Sequence, residues 1–177
     1  MTTQQVYLRP MTEADTAQIV AWRNQDFVRN NFINQALFTE KGHRNWIREQ
    51  VEPGHVVQFI ICLSDGREIG SVYFRDIDRT AQTAEYGIFI GEEDVLGCGY
   101  GSQTAKLALQ YAFEILRLQK VFLRFLEDNA GARKSYENAG FRIVEDKWDV
   151  VLLKQGERRV LFMEISREDW LLRKEES

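Results

Sequence analysis

Apolar and polar positions follow two different periods along this chain, and the two periods predict a mixture of strands and helices. Apolar runs that alternate or continue for a few residues between turn-forming residues indicate strands. The predicted strands are residues 6–9, 55–63, 68–76, 83–90, 120–126, 141–154 and 158–165. Between them, apolar residues recur every three or four positions, as in helices that pack through one face. The predicted helices run from Thr12 past Trp22, from the cap Thr39 toward Pro53, from the end of the 91–101 loop to Leu116, and over 129–140, with residues 26–38 as a short helix or an ordered loop.

The order of these elements predicts the fold class. Strands occupy both ends of the chain, and a βαβα stretch lies between about residue 83 and residue 140. This order is typical of an α/β or α+β domain in which helices cover both faces of a mixed sheet. Two prolines and no Ser/Gly-rich stretch leave no candidate linker, so we expect residues 1–177 to form one domain.

Composition and charge exclude several classes of protein. The chain has 177 residues, 44% of them hydrophobic, with four Trp and eleven Phe, which favours a packed core over disorder. A net charge of −4 argues against a nucleic-acid partner. No apolar run approaches the roughly 20 residues of a spanning helix, and no secretory signal is recognisable at the N-terminus. We therefore expect a cytoplasmic protein with no membrane partner.

Cysteine and histidine are scarce. Cys62 and Cys98 suggest reduced thiols and not a disulfide scaffold. His43 and His55 are too few for a zinc site without help from other ligands, so we expect no metal.

A glycine-rich loop carries the first chemical signal. Gly97, Gly99 and Gly101 alternate between a predicted strand and a long amphipathic helix. Without Cβ atoms, such a loop brings backbone N–H groups close to an anion, and the helix N-terminus adds positive partial charge. The Gly-x-Gly-x-Gly spacing is not the dinucleotide or phosphate-loop motif. The segment predicts a pyrophosphate site, and a flexible strand-to-helix turn is the alternative.

A second motif lies in the 129–140 helix. Ala132, Tyr136 and Gly140 are four residues apart and share one face, and Asn129 stands at the helix start. Asn129 and Tyr136 either point toward the ligand of the glycine loop or serve as a helix cap and a half-buried core tyrosine.

Together the two motifs resemble the GCN5-related N-acetyltransferase (GNAT) superfamily, in the branch of the ribosomal-protein N-terminal, spermidine and amino-sugar acetyltransferases. The resemblance starts at Tyr7-Leu8-Arg9-Pro10 and extends over nearly the whole chain to Ser166-Arg167-Glu168-Asp169-Trp170. It implies a mixed sheet of about seven strands, flanked by helices, whose two central parallel strands splay apart. It also implies an acetyl-CoA-dependent N-acetyltransferase without a metal. One departure is Leu96, where the family loop usually starts with Arg or Gln.

The resemblance assigns roles to individual positions. The strand before the loop pairs with the pantetheine arm, the loop amides hold the pyrophosphate, and Asn129 bonds the pantetheine or thioester end. The implied acetyl-CoA-binding residues are Ile88, Phe89, Ile90, Leu96, Gly97, Cys98, Gly99, Tyr100, Gly101, Ser102 and Asn129. Tyr136 protonates the leaving sulfur.

A base is also needed, because a primary amine near pKa 10 is mostly protonated at neutral pH. Glu85 is the candidate, on the expectation that burial raises its pKa; a solvated or salt-bridged glutamate is the alternative. Transfer is expected to be direct, with backbone N–H groups of Ile88–Ile90 stabilising the oxyanion. Cys98 lies in the loop with no histidine nearby in sequence, which argues against an acetylated enzyme.

The acceptor is expected to bind the N-terminal helices. The Trp-Arg-Asn segment, the amide-rich loop after it and the His-x-x-Trp helix are similar to the sugar-nucleotide acetyltransferases, and aromatic, amide and guanidinium groups suit sugars and phosphates. The candidate acceptor-binding residues are Trp22, Arg23, Asn24, Phe32 and Trp46, although Trp22 and Trp46 also suit an amphipathic-helix core. A small-molecule amine, an amino sugar nucleotide, or a protein N-terminal amine is the expected partner.

Three alternatives stay open. A polyamine acceptor would use carboxylates such as Glu92-Glu93-Asp94, and an idle CoA-binding regulator is hinted at by Leu96. A homodimer through the strand containing Val160-Leu161-Phe162-Met163 is also compatible with the sequence.

Overall fold

Seven strands form one mixed sheet in the computed structural model, which describes residues 4–175. In chain order the strands are β1 (Val6–Pro10), β2 (Val57–Leu63), β3 (Glu68–Asp78), β4 (Thr83–Ile90), β5 (Lys120–Leu126), β6 (Arg142–Leu153) and β7 (Gly156–Ser166). Their order across the sheet is β1-β2-β3-β4-β5-β7-β6. Only the β4–β5 pair is parallel among the described strands, so the sheet is mixed, as expected.

Six α-helices accompany the described strands. They are α1 (Thr16–Asn24), α2 (Asp26–Arg29), α3 (Glu40–Trp46), α4 (Tyr100–Gln110), α5 (Ala130–Ala139) and α6 (Arg167–Glu175). α3 and α4 continue into π-helical turns over Ile47–Val51 and Tyr111–Ile115. The Thr39 hydroxyl accepts a hydrogen bond from the Gly42 amide at 3.0 Å, so the sequence-based α3 cap is confirmed. The sequence pattern does not predict α6.

The two central parallel strands splay apart. β4 and β5 pair only through Thr83–Lys120, Ala84–Val121 and Glu85–Phe122. Beyond Glu85, β4 stays paired with β3 on its other side, and β5 stays paired with β7. The residues after Glu85 therefore carry backbone N–H and C=O groups on an open strand edge that faces the gap.

Two apolar clusters lie on opposite faces of the sheet. The larger holds Tyr86 with buried residues of α4 and α5, and the smaller holds Phe89 with buried residues of α1 and the α3 region. Tyr86 and Phe89 thus lie on opposite faces of β4, as the alternation predicts. No helix within residues 4–175 is long and apolar enough to cross a membrane.

Candidate active site

A cavity of about 1240 Å³ opens where β4 and β5 separate. Its walls come from α1, α2, α3 and the loop before α3, from β2 to β5, from the glycine loop with the start of α4, and from α5. The cavity thus joins the two sequence motifs to the N-terminal helices.

The glycine loop forms one end of this cavity. Gly97 and Gly99 have φ values of +75° and +84°, in the left-handed region that favours glycine, and no atom lies within 4 Å of where their Cβ atoms would be. Gly99 is the N-cap of α4, so the first N–H groups of that helix have no acceptor within the helix. Of the predicted loop residues, all except Cys98 line the cavity; Cys98 is exposed, and its Sγ lies 3.8 Å from the Leu96 carbonyl oxygen. The loop has the geometry of an anion cradle.

The open edge of β4 forms the adjoining wall. Ile88, Phe89 and Ile90 all line the cavity, beyond the point where pairing with β5 ends. An extended ligand can add to such an edge through backbone hydrogen bonds.

Asn129 and Tyr136 both reach the cavity and both also have structural contacts. Asn129 caps α5 by accepting the Ala132 amide at 3.2 Å through its Oδ1. Tyr136 is 7% exposed and its ring packs edge-on against Tyr86 and Phe125, at centroid distances of 6.1 and 5.7 Å. Burial raises the pKa of Tyr136, which keeps its hydroxyl protonated at neutral pH. The two readings of each residue are therefore compatible.

The pKa of Glu85 differs from the expected one. Its side chain is 6% exposed and accepts hydrogen bonds from Arg75 Nε at 3.0 Å and Arg124 Nε at 2.9 Å. Burial alone raises the pKa of Glu85, but the hydrogen bonds from Arg124 and Arg75 outweigh burial and the pKa is lowered. The expectation of a raised pKa is wrong, because Glu85 is salt-bridged and its carboxylate stays ionised; its role as the base stays a prediction.

The five candidate acceptor residues separate into two groups. Arg23, Phe32 and Trp46 line the cavity, and Trp22 and Asn24 do not. Trp22 is 2% exposed, its ring packs against Phe89, and its Nε1 donates to Glu92 Oε1 at 2.8 Å. Trp22 is therefore a core residue, and its assignment to the acceptor site is corrected.

The assignment of Asn24 to the acceptor site is also corrected, for a different reason. Its side-chain amide donates to the Phe38 carbonyl at 2.9 Å, and its Oδ1 accepts the Phe38 amide at 2.7 Å. Asn24 thus fixes the backbone of the loop before α3 and positions Phe38, which lines the cavity.

Sequence reasoning missed several polar residues of the cavity wall, among them Arg75, Arg124 and Gln58, and it included His43 only as part of the His-x-x-Trp helix. Arg75 and Arg124 each interrupt a strongly apolar strand, and a charge in such a run is a signal that could have identified them. His43 and Gln58 are buried, with His43 Nδ1 3.0 Å from the Thr16 hydroxyl. Burial and the neighbouring Arg44 lower the pKa of His43, so its imidazole is neutral at neutral pH. No group of three or more His, Cys, Asp or Glu residues in the described chain is placed to hold a metal ion.

Known proteins match this chain over most of its length. A family model described as "Acetyltransferase (GNAT) domain" matches residues 5–142. The probable N-acetyltransferase YjcK of Bacillus subtilis is 30% identical over 77% of this chain and 80% of its own length. The spermidine N(1)-acetyltransferase of Escherichia coli is 30% identical over 78% of this chain and 73% of its own length.

A solved structure shares the fold. It is the spermidine N-acetyltransferase from Vibrio cholerae in complex with CoA and spermine, with a TM-score of 0.87 and 22% identity over 94% of this chain and 98% of that one.

Proposed function

Because this chain belongs to the GNAT acetyltransferase family, we propose that its acetyl transfer from acetyl-CoA is directed to the primary amine of an amino sugar nucleotide. The coarser activity, acetyl-CoA-dependent N-acetylation, is that of the family, and the relatives at 30% identity are named N-acetyltransferases. The choice of acceptor is the part that we propose.

The charge of the cavity wall carries this choice. Among the described residues that line the cavity, Glu85 is the sole carboxylate, and Arg75 and Arg124 already occupy it. Arg23 and Lys134 add two further cations to the wall. A polycation needs free carboxylates, whereas this wall attracts an anion. The names of two relatives point to spermidine, and the absence of an unpaired carboxylate among the described lining residues is what favours an anionic acceptor over it in our proposal.

Flat side chains support a sugar or nucleobase ligand. Phe32, Phe38 and Trp46 line the acceptor end, and the Trp46 indole stacks on the His43 imidazole at 5.8 Å between centroids. Aromatic faces of this kind pack against sugar rings and bases.

The residues present fit acetyl-CoA. The loop amides of residues 97–102 would hold its pyrophosphate, the open edge of β4 its pantetheine arm, and Asn129 the end near the thioester. When bound, acetyl-CoA supplies an activated acetyl thioester. Leu96 is 48% exposed at the cavity edge and does not fill the slot.

The arginines bear on the protonation state of the acceptor amine. Nearby positive charge disfavours an ammonium and so favours the neutral, nucleophilic amine. Glu85 remains ionised, because the same arginines lower its pKa. In our proposal Glu85 takes up the amine proton through water.

The reaction at the thioester also needs stabilisation of the oxyanion and a proton for the leaving sulfur. Backbone N–H groups of Ile88–Ile90 stabilise the negative charge that develops on the attacked carbonyl oxygen. Tyr136, protonated at neutral pH, donates to the leaving sulfur.

An acceptor panel tests the proposal. We would measure thiol release from acetyl-CoA with a UDP-linked amino sugar, spermidine and a peptide with a free N-terminus, each at matched concentration. We expect the amino sugar nucleotide to have a kcat/KM at least about 100-fold above that of spermidine, since the described cavity wall offers a polycation no unpaired carboxylate. Preferred turnover of spermidine or the peptide would refute the acceptor assignment.

Two further measurements separate the alternatives. Calorimetric binding of acetyl-CoA without turnover of any amine would favour the idle CoA-binding regulator. Light scattering tests the homodimer, which stays a prediction.

A further inference from the structure

The guanidinium of Arg23 lies in an aromatic enclosure on the cavity wall. Its Cζ is 3.4 Å from the ring centroid of Phe32 and 4.4 Å from that of Phe38. We call these three residues the Arg23 box. Asn24 supports the box, because its amide holds the backbone of Phe38.

The charge in this box is not balanced by the protein. Arg23 is 5% exposed, and its Nη1 is buried without a hydrogen-bond partner. No carboxylate within residues 4–175 forms an ion pair with it. Burial lowers the pKa of Arg23 to about 10, so it is still charged at neutral pH. Proteins rarely keep a buried cation without a partner.

Other buried polar atoms of the same wall also lack partners. They include Nε2 of His43 and Oε1 of Gln58, and both residues line the cavity with Arg23. Buried polar atoms are nearly always hydrogen-bonded, so a cluster of exceptions around one cavity indicates that a polar ligand completes it. The rings of the box cover the guanidinium face, and its in-plane N–H groups remain for an acceptor atom.

We propose that the Arg23 box binds an oxyanion of the acetyl acceptor, a phosphate or a carboxylate, in contact with the guanidinium. The inference rests on the proposed function and deepens it, since it makes Arg23 the residue that selects an anionic amine. The charge-assisted hydrogen bonds of an arginine to an oxyanion supply both affinity and orientation.

The test measures binding independently of turnover. The glycine loop also holds phosphates, so the enzyme is first saturated with CoA to block that site. Calorimetry then measures UDP, inorganic phosphate and succinate against uridine as the neutral reference. We expect CoA-loaded wild type to bind UDP or succinate at least about tenfold more tightly than uridine. UDP and succinate distinguish a phosphate-bearing acceptor from a carboxylate-bearing one.

Three variants complete the design. Arg23→Met removes the charge at similar volume, and we expect it to weaken anion binding by about 10- to 100-fold. Arg23→Lys keeps the charge but loses the planar fork, and we expect several-fold weakening with CoA affinity unchanged. Arg159→Gln, a partly exposed arginine paired with Glu127 and outside the cavity lining, is the matched control and should bind like wild type.

Either of two results would overturn the inference. One is an unchanged anion affinity in both Arg23 variants, and the other is no preference of wild type for any anion over uridine. Failure of the proposed function is distinguishable, because it would show as preferred turnover of spermidine or the peptide, or as no thiol release with any amine, while anion binding still depends on Arg23. A paired rate assay compares glucosamine with glucosamine 6-phosphate as the acceptor. We expect Arg23→Met to raise KM for the phosphorylated amine and to leave KM for glucosamine unchanged.

Discussion

Replacing Glu85 by Gln perturbs both its ion pairs and its proposed proton transfer. The Glu85 side chain is 6% exposed, and those of Arg75 and Arg124 are 40% and 33% exposed. Removing one partner of a fully buried ion pair costs about 3–5 kcal/mol. Because water reaches both arginines, we discount this to about 2 kcal/mol. With a urea m-value of about 2 kcal/mol/M, the unfolding midpoint should fall by about 1 M.

A double variant separates the two roles of Glu85. Glu85→Gln with Arg124→Met removes one negative and one positive charge, so roughly half of the lost stability should return. Turnover should stay at least about 100-fold below wild type, as for loss of a general base. Arg124→Met alone is the kinetic reference, and we expect its kcat at saturating acceptor to lie within about tenfold of wild type.

Urea unfolding followed by tryptophan fluorescence and thiol release at saturating acetyl-CoA provide the two readouts. Glu164→Gln, which removes a half-exposed partner of Lys120, is the control and should change stability by less than about 1 kcal/mol. Recovery of turnover in the double variant would refute proton acceptance by Glu85 and would leave it the role of holding the arginines.

Three further predictions concern the proton donor, the anion cradle and acid stability. Tyr136→Phe should lower kcat by about 10²–10⁴-fold with acetyl-CoA affinity unchanged. The control is Tyr86→Phe, which changes a buried ring on the same wall and should leave kcat unchanged. Equal turnover in both variants would refute the role of Tyr136 as proton donor. Gly99→Ala should cost about 1 kcal/mol of stability and should also weaken the binding of acetyl-CoA, measured by calorimetry. Gly66→Ala is the control: Gly66 is also left-handed, at φ +88°, and its substitution should cost the same stability without changing acetyl-CoA binding. The hydrogen bond from Arg9 lowers the pKa of Asp15, so the stability that the ionised carboxylate contributes is present above the unfolded pKa near 3.8 and is lost as pH falls. Asp15→Asn should therefore reduce the fall in unfolding free energy at acidic pH, measured by urea unfolding at a series of pH values. An unchanged fall at acidic pH would contradict this prediction.

The local pattern of the chain was enough for much of the fold. The strands over residues 83–90 and 120–126 were predicted with the bounds that β4 and β5 have. Their period-two alternation and flanking turn residues depend on local sequence, so no tertiary information was needed. α6 was missed, because its three apolar residues, Trp170, Leu171 and Leu172, are consecutive and show no helical spacing.

The electrostatics of the site could not be read from the sequence. Arg75, Glu85 and Arg124 come from three neighbouring strands, and only the register of β3, β4 and β5 brings their side chains together. A pKa depends on burial and on such partners, which act with opposite sign at Glu85. The sequence located the carboxylate, and the structure determined that it is an ion-paired anion.

The N-terminal helix shows the same division. The sequence by itself determined that a helix would contain Trp22 and Arg23 and that a glycine loop would precede a long helix, because helical period and glycine geometry are local properties. Consecutive helical residues point about 100° apart, so one enters the core and the other faces the cavity. Trp22 lies in the core, where its ring packs against Phe89 and its Nε1 donates a hydrogen bond to Glu92. Arg23 lies on the cavity side, against the rings of Phe32 and Phe38. Only tertiary contacts decide which side of a helix meets the core, because the free energy of burial depends on what lies opposite.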